Sequence, residues 1–232
     1  MPFAYYGAKH RLAPKYPAPI GPVVIEPFAG SAAYSMRYIE HLDRVILVEK
    51  DPAVVELWHR VIGMTLEDLD ALDAQLLLER TSDPLLAASG GSTSLHGTLS
   101  GRSRQITPRM RKSWPPVKRR IARALPHLAK VEIIHGSYDE APDLEATYFV
   151  DPPYQPLLDD YRSDCQAGSA YRVGSEGLDY DHLSKWCQSR RGLVIVCEQE
   201  PASWLPFVRL AESQNAQNAQ RTEVVWTSTS DH

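Results

Sequence analysis

Short apolar runs alternate with segments of helical periodicity over most of the chain, and this alternation predicts the fold class. Runs of largely apolar residues predict buried strands, because both faces of a covered sheet need apolar side chains. They lie at residues 23–25, 44–49, 131–134, 147–150, 193–197 and 223–227, the last predicted as an edge strand. Apolar residues at helical spacing predict helices that begin near residues 52, 65, 115 and 180. The sequence therefore predicts an α/β protein with a doubly wound sheet.

Two of the predicted helices begin with typical capping residues. Asp51 precedes Pro52, and an acidic N-cap followed by proline at the first helical position is characteristic of a helix N-terminus. Thr65 is followed three residues later by Asp68, which is similar to a capping box. The pattern predicts that this second helix extends to about Arg80.

Periodicity stops between Ser82 and Trp114, where four glycines mix with serine, threonine and arginine. Pro115 and Pro116 then predict the start of a helix that runs to about Ala129. We therefore expect one domain built from residues 1–83 and 131–232, interrupted by a small insertion at residues 84–130.

The composition is that of an ordinary globular protein, with 43% hydrophobic residues in a chain of 232. No stretch of about 18 uncharged apolar residues occurs, and the N-terminus lacks the apolar run of a signal peptide. We expect a cytoplasmic protein without membrane spans. Three cysteines, Cys165, Cys187 and Cys197, lack the spacing of a zinc site and are expected to be reduced thiols. Neither these nor the histidines predict a metal site.

The net charge of -4 conceals a strong division of charge along the chain. Residues 84–130 hold ten of the 25 Lys and Arg residues and no Asp or Glu, so the remainder holds 15 basic and 29 acidic residues. A basic segment of this length on an acidic body predicts a surface that faces a polyanion, because such binding depends on local neutralisation of phosphates.

Candidate ligand-binding residues follow the first two predicted strands, at the edge where open α/β sheets bind ligands. The sequence EPFAG places Gly30 in a tight turn, where the absence of a side chain lets a ligand approach the backbone. Glu49 ends the next strand, and its carboxylate can accept hydrogen bonds from both hydroxyls of a ribose. The pair predicts an adenosine-type cofactor, whereas the lone glycine disfavours the G-x-G-x-x-G site of an NAD enzyme.

The predicted strand at residues 147–150 runs into the sequence Asp151-Pro152-Pro153-Tyr154. Two consecutive prolines hold the chain extended and remove two N–H donors, so nearby carbonyl groups can accept hydrogen bonds from a ligand. Asp151 adds a carboxylate acceptor, and Tyr154 adds an aromatic plane. This combination suits a planar base with an exocyclic amino group, which has two N–H bonds to donate and a ring to stack.

On these motifs the sequence resembles the Dam-type DNA adenine-N6 methyltransferases, a group that uses S-adenosyl-L-methionine. The resemblance covers most of the chain, and it includes the N-terminal sequence PFAYYGAK as well as EPFAG and DPPY. It implies a Rossmann-like methyltransferase sheet, mostly parallel with an antiparallel terminal strand. It also implies methyl transfer to N6 of adenine in double-stranded DNA, with the insertion at 84–130 as a small recognition element.

The resemblance further implies roles for individual residues. Catalysis would involve Asp151, Pro152, Pro153 and Tyr154. The cofactor-binding residues would be Tyr5, Lys9, Glu26, Phe28, Gly30, Glu49, Ser137, Tyr138 and Asp151. Within the basic segment, the residues that we predict to contact DNA are Arg102, Arg104, Arg109, Arg111, Lys112 and Arg119.

Three residues depart from the family's pattern. Ala8 and Ala32 stand where glycine is common, and Ser137 stands where an acid is usual. Two alternatives stay open on the sequence: an amino methyltransferase that acts on N4 of cytosine or on RNA, and a non-catalytic module that binds DNA or the cofactor and keeps the fold.

Overall fold

The structure, a computed structural model, describes Phe3, Lys9 and residues 12–89, 104–155, 177–214 and 220–228. The predictions for Tyr5, Ala8, Arg102 and Cys165 lie outside these residues. Within them, Cys187 and Cys197 are buried free thiols, as the sequence predicts.

The centre of the fold is a seven-stranded sheet with the strand order β5-β2-β1-β6-β7-β9-β8. Five strands, β5 to β7 across this order, are mutually parallel, and β9 is antiparallel to both of its neighbours. A separate antiparallel pair is formed by β3 and β4. The strands are β1 (Val23–Glu26), β2 (Arg44–Glu49), β3 (Arg80–Thr81), β4 (Arg104–Gln105), β5 (Val131–His135), β6 (Glu145–Val150), β7 (Arg191–Gln199), β8 (Val208–Gln214) and β9 (Gln220–Thr227).

The prediction that the terminal strand lies at the sheet edge is wrong. β9 is inserted between β7 and β8, and β8 is the edge strand. β8 has the sequence VRLAESQ, whose polar residues are tolerated because an edge strand exposes one side to solvent. This mixed pattern does not predict a strand.

Helices connect the strands and cover the sheet. The two predicted caps are confirmed, since Asp51 accepts a hydrogen bond from the Ala53 amide and Thr65 and Asp68 form a capping box. The second of these helices ends at Gln75, well before Arg80. The α-helices are α1 (Ser35–Tyr38), α2 (Pro52–Ile62), α3 (Leu66–Gln75), α4 (Pro84–Ser89), α5 (Pro108–Ala124) and α6 (Tyr180–Ser189).

Helix α5 begins at Pro108, seven residues before the predicted start. Thr107 caps it by accepting a hydrogen bond from the Met110 amide, and Pro115 and Pro116 lie inside the helix. Because proline has no N–H, the carbonyls of Arg111 and Lys112 lose their normal helical partners. The helix tolerates this because its apolar face is anchored in the core.

Two apolar clusters cover opposite faces of the sheet. On β1, Val24 belongs to one cluster and Ile25 to the other, as expected for side chains that alternate along a strand. Helices α2 to α5 pack on the first face and α6 on the second. The fold is therefore doubly wound, which confirms the predicted fold class. The described part of residues 84–130 shares the first cluster with the sheet.

Candidate active site

The sheet has a topological switch point between β1 and β6. On one side of it the chain continues through β2 and β5, and on the other through β7. Adjacent parallel strands that diverge in this way leave a crevice at their carboxyl ends, where ligands bind in such sheets. The predicted residues Glu26 and Glu49 end β1 and β2, Asp151 directly follows β6, and Ser137 and Tyr138 follow β5. The fold therefore collects these residues at one edge.

The turn after β1 is fixed to the neighbouring strand by Glu49. Its two carboxylate oxygens accept hydrogen bonds from the Gly30 and Asp51 amides, both at 2.9 Å. The indole of Trp58 donates to the Gly30 carbonyl at 2.8 Å, so the turn is held from both sides. Burial raises the pKa of Glu49 above its ordinary value, although the backbone hydrogen bonds oppose this.

Two residues of this turn have left-handed backbone conformations. Gly30 and Ala32 both have a φ of 46°. Glycine adopts this conformation without strain, whereas an alanine Cβ crowds its own carbonyl there. Ala32, one of the departures from the family's pattern, therefore occupies a position that favours glycine for a backbone reason.

Glu26 lies beneath the turn, with 2% of its surface exposed. Its carboxyl accepts a hydrogen bond of 2.7 Å from the Ser35 amide at the start of α1. Burial raises the pKa of Glu26 to about 8, against the lowering effect of this hydrogen bond. The described contact of Glu26, with the Ser35 amide, supports the loop after β1.

An aromatic wall stands beside the ends of β1 and β5. The rings of Phe28 and Tyr138 are stacked with centroids 5.4 Å apart, and the Tyr138 hydroxyl is 2.6 Å from Nδ1 of His182. Ser137, at the start of this turn, donates its amide to the Glu140 carboxylate at 3.1 Å. These contacts fix three predicted cofactor-binding residues in one rigid group.

Asp151 and Lys9 form a close ion pair, although 142 residues separate them. The Lys9 Nζ lies 2.7 Å from Oδ1 of Asp151, and the two side chains are only 7% and 20% exposed. Burial raises the pKa of Asp151 to about 6, and the Lys9 ammonium prevents a larger rise. Burial alone would lower the pKa of Lys9, but the carboxylates of Asp151 and Glu223 raise it. Lys9 thus stays charged and holds Asp151 near its ionised form.

Tyr154 is held at both its hydroxyl and its ring. The hydroxyl donates to Oε1 of Glu223 at 2.7 Å, and the Lys9 ammonium lies 4.8 Å from the ring centroid in a cation–π arrangement. The Tyr16 hydroxyl donates to the same Glu223 oxygen at 2.6 Å. The sequence analysis missed Glu223 and Tyr16, although a charged residue within the apolar strand EVVWT indicated a buried acid that needs partners.

The backbone around the two prolines is also fixed. Tyr180 donates its hydroxyl to the Pro153 carbonyl at 2.8 Å, and the buried Glu198 accepts from the Gln155 amide at 2.8 Å. Among the residues that the structure describes, no donor is bonded to the Pro152 carbonyl. The motif therefore keeps two acceptors for a ligand, the Asp151 carboxylate and the Pro152 carbonyl.

The predicted DNA-binding residues that the structure describes with side chains lie on α5. Arg109, Arg111, Lys112 and Arg119 are all exposed, and Arg111 donates to the Leu78 carbonyl at 3.3 Å. Within the described part of the chain, none of the four forms a hydrogen bond or an ion pair with Asp151 or Tyr154. Arg104 lies in β4. By contrast, Lys118 on the same helix forms ion pairs with Asp70 and Asp73.

The same described residues contain no cluster of His, Cys, Asp and Glu that could hold a metal ion. Within that part of the chain, no helix has both the length and the apolar character needed to cross a membrane.

Numbered by order in the main sheet alone, the strands follow 3-2-1-4-5-7-6, with the seventh reversed. This is a Rossmann-like methyltransferase fold, as the resemblance implied. No protein-family model matches the sequence, and no curated protein matches it.

Several solved structures show a distant overall similarity. One is a candidate methyltransferase from Pseudomonas syringae, with 11% identity over 94% of this chain and 96% of the other, and a TM-score of 0.42. Another, from Escherichia coli, has 13% identity over 93% and 80%, with a TM-score of 0.35. A candidate methylase from Haemophilus influenzae has 12% identity over 94% and 84%, also with a TM-score of 0.35.

Proposed function

We propose that the protein transfers a methyl group from S-adenosyl-L-methionine to N6 of adenine in double-stranded DNA. The observation that supports this most directly is the set of groups after β6. A carboxylate paired with a buried ammonium, a proline carbonyl with no donor among the described residues, and an anchored tyrosine ring all belong to four consecutive residues at the switch point. These are the acceptors and the stacking surface that a planar base with an amino group needs.

The chemistry of the crevice fits the proposed cofactor. Glu49 is only partly buried, and a carboxylate has lone pairs beyond the two that its backbone donors use, so it can accept ribose hydroxyls. Phe28 and Tyr138 offer apolar aromatic surface for an adenine ring, and Gly30 leaves the backbone accessible. Lys9 and Asp151 complete the proposed cofactor-binding side. When bound, S-adenosyl-L-methionine supplies a methyl group that is already activated on a sulfonium.

The protein's own contribution is alignment and the placement of charge. Asp151 and the Pro152 carbonyl accept the two hydrogen bonds of the amino group, which directs the nitrogen lone pair out of the ring plane. A bound S-adenosyl-L-methionine would supply the methyl group to this nitrogen, with the electron pair of the broken carbon–sulfur bond left on sulfur, while Asp151 and the Pro152 carbonyl would hold the amino group in place. The methylated nitrogen is cationic and releases its proton readily, either through Asp151 or to water. No strong base is required.

Access to this site requires the base to leave the double helix, because an amino group in a base pair cannot reach a pocket of this kind. The anchored ring of Tyr154 would stack on the extruded base. The exposed basic residues of α5 would neutralise DNA phosphates. Their role as the recognition element, and the boundaries 84–130 of that element, are part of this proposal.

The test is to incubate the purified protein with labelled S-adenosyl-L-methionine and unmethylated duplex DNA, and to identify the modified nucleoside by mass spectrometry. We expect N6-methyladenine. Asp151→Asn is the matched variant, since it keeps the size of the side chain and removes its charge. Its rate should fall by about 30- to 1000-fold, the effect of about 2–4 kcal/mol lost at the transition state.

The open alternatives are distinct outcomes of the same experiment. N4-methylcytosine, or label found only in RNA, would replace the proposed substrate but keep the chemistry. Binding of DNA without binding of S-adenosyl-L-methionine, measured by calorimetry, would identify a non-catalytic module.

A further inference from the structure

Glu223 is a buried acid in the middle of an internal strand. On β9 it is paired with Gln199 of β7 on one side and with Ala211 of β8 on the other. Its neighbours Val224 and Val225 are buried apolar residues, and Glu223 itself is 6% exposed. A carboxylate in such surroundings destabilises the fold unless it is paired and hydrogen-bonded, so its partners indicate why this acid is there.

The described hydrogen-bond and ion-pair partners of Glu223 meet at one oxygen. Oε1 accepts the Tyr154 hydroxyl at 2.7 Å and the Tyr16 hydroxyl at 2.6 Å, and the Lys9 Nζ lies 3.9 Å away. Hydrogen bonds from a hydroxyl to a carboxylate at this length are among the strong ones in proteins. This oxygen therefore links Tyr154 of the candidate catalytic motif to Tyr16 of the hydrophobic core.

The two hydroxyls come from different parts of the molecule. Tyr16 belongs to the first apolar cluster and lies edge-on to Phe149, with centroids 5.2 Å apart. Tyr154 is in the candidate catalytic motif and is only partly buried. Core packing already fixes Tyr16, whereas the described hydrogen bond of the Tyr154 side chain is the one that its hydroxyl donates to Glu223. The orientation of the Tyr154 ring therefore depends on Glu223 more than that of Tyr16 does.

We propose that Glu223 is a positioning residue for the methyl transfer, which orients the ring of Tyr154 so that an extruded base can stack on it. This inference rests on the proposed function. It assigns to the reversed strand β9 a part in catalysis, because β9 supplies the acceptor that fixes a ring on the loop after β6. Lys9 keeps its closer partner Asp151 when Glu223 is replaced, so the effect should pass mainly through Tyr154.

The test is a double-mutant cycle on kcat at saturating cofactor and DNA, with wild type, Glu223→Ala, Tyr154→Phe and the double variant. Glu223→Ala should lower kcat by about 10- to 100-fold, as a misplacement of about 1 Å does. In the Tyr154→Phe background it should add less than about 3-fold, since residues in one network are not additive. Affinity for S-adenosyl-L-methionine, measured by calorimetry, should stay within about 3-fold of wild type.

Two further variants separate positioning from stability. Glu223→Gln keeps an acceptor oxygen and should restore kcat to within about 5-fold of wild type, whereas Glu223→Met fills the same volume without an acceptor and should behave like Glu223→Ala. Glu223→Met takes the place of Ala in the cycle if the Ala variant does not fold. Tyr16→Phe removes a hydroxyl from the same oxygen on the core side and should change kcat by less than about 3-fold.

The results that would overturn the inference are distinct from those that would overturn the proposed function. The positioning role alone is refuted if wild-type protein methylates DNA and the effects of Glu223→Ala and Tyr154→Phe on kcat multiply in the double variant. It is also refuted if Glu223→Ala lowers the unfolding temperature and leaves kcat unchanged. Wild-type protein that transfers no methyl group to DNA refutes the proposed function, and this inference with it.

Discussion

Replacing Lys9 by methionine should move the pH dependence of methyl transfer to higher pH. The substitution keeps an unbranched side chain of similar length and removes the ammonium that lies 2.7 Å from Asp151. In the proposed mechanism Asp151 is ionised when it accepts from the amino group, and its pKa is already raised by burial to about 6. Without its cationic partner the carboxyl loses the interaction that opposes burial, so its pKa rises further.

The size of this effect follows from the structure. An adjacent cation lowers a carboxyl pKa by about 1–3 units, so its removal should raise the pKa of Asp151 to about 7–9. With a pKa of about 6, roughly 90% of wild-type molecules have an ionised Asp151 at pH 7. With a pKa of about 8, roughly 10% do. The rate at pH 7 should therefore fall about 9-fold from ionisation alone, and the deficit should shrink as the pH rises to 9.

The assay is the initial rate of methyl transfer between pH 5 and 9.5 at saturating substrates, with circular dichroism at each pH. In wild type, activity should be lost as the pH falls through about 6, because a carboxyl with a raised pKa takes up its proton there. Lys9→Arg keeps the charge and should keep this midpoint, and Lys15→Met removes an exposed lysine as a control. An unchanged midpoint in Lys9→Met would refute the electrostatic role given to Lys9.

Two other predictions concern the turn after β1, which contains Gly30 and Ala32, and the exposed basic residues of α5. Gly30→Ala should lower the free energy of unfolding by about 1–2 kcal/mol because φ is 46° there. Ala32→Gly, at the same φ, should leave the free energy of unfolding nearly unchanged, because relief of backbone strain offsets the lost methyl group and the added entropy of the unfolded chain. If both variants lose the same free energy of unfolding in urea, this reasoning is wrong. Replacing Arg109, Arg111 and Lys112 together by Gln should reduce the slope of log affinity for DNA against log salt by about 3 and leave cofactor affinity unchanged. Lys118→Gln, which removes a lysine already paired with Asp70 and Asp73, should change the slope far less, and equal slopes for the two variants would argue against a phosphate-binding face.

The elements that local sequence determines were predictable. Strands such as β2 and β6 are continuous apolar runs, and α2 and α3 begin at residues whose side chains cap them. The position of β9 in the sheet was not predictable, because strand order depends on pairing between segments that are distant in the sequence. α5 was misplaced because its two internal prolines resemble a helix start, while its real cap, Thr107, precedes a polar and basic first turn.

The residues of the candidate site also divide into those that the sequence predicts and those that it does not. Strand ends of an α/β sheet are where ligand-binding residues are expected, so Glu49 and Asp151 could be proposed from position alone. Tyr16 and Glu223 are 207 residues apart, and no local pattern predicts that they meet. What the sequence does contain is an acid inside an apolar strand, and such a residue needs partners once it is buried.

The Lys9–Asp151–Glu223 arrangement also has a consequence for folding. Its three residues come from distant parts of the chain, and contacts between distant residues form late because long loops must close first. Neither the β1–β2 unit nor the β6–β7 unit contains a complete set of these charges. The contacts of Glu223 with Tyr154 and Lys9 can therefore form only when β9 has joined the sheet. Partly folded chains would have the turn after β1 but not the anchored tyrosine, so under the proposed function methyl transfer would be slower until β9 has paired.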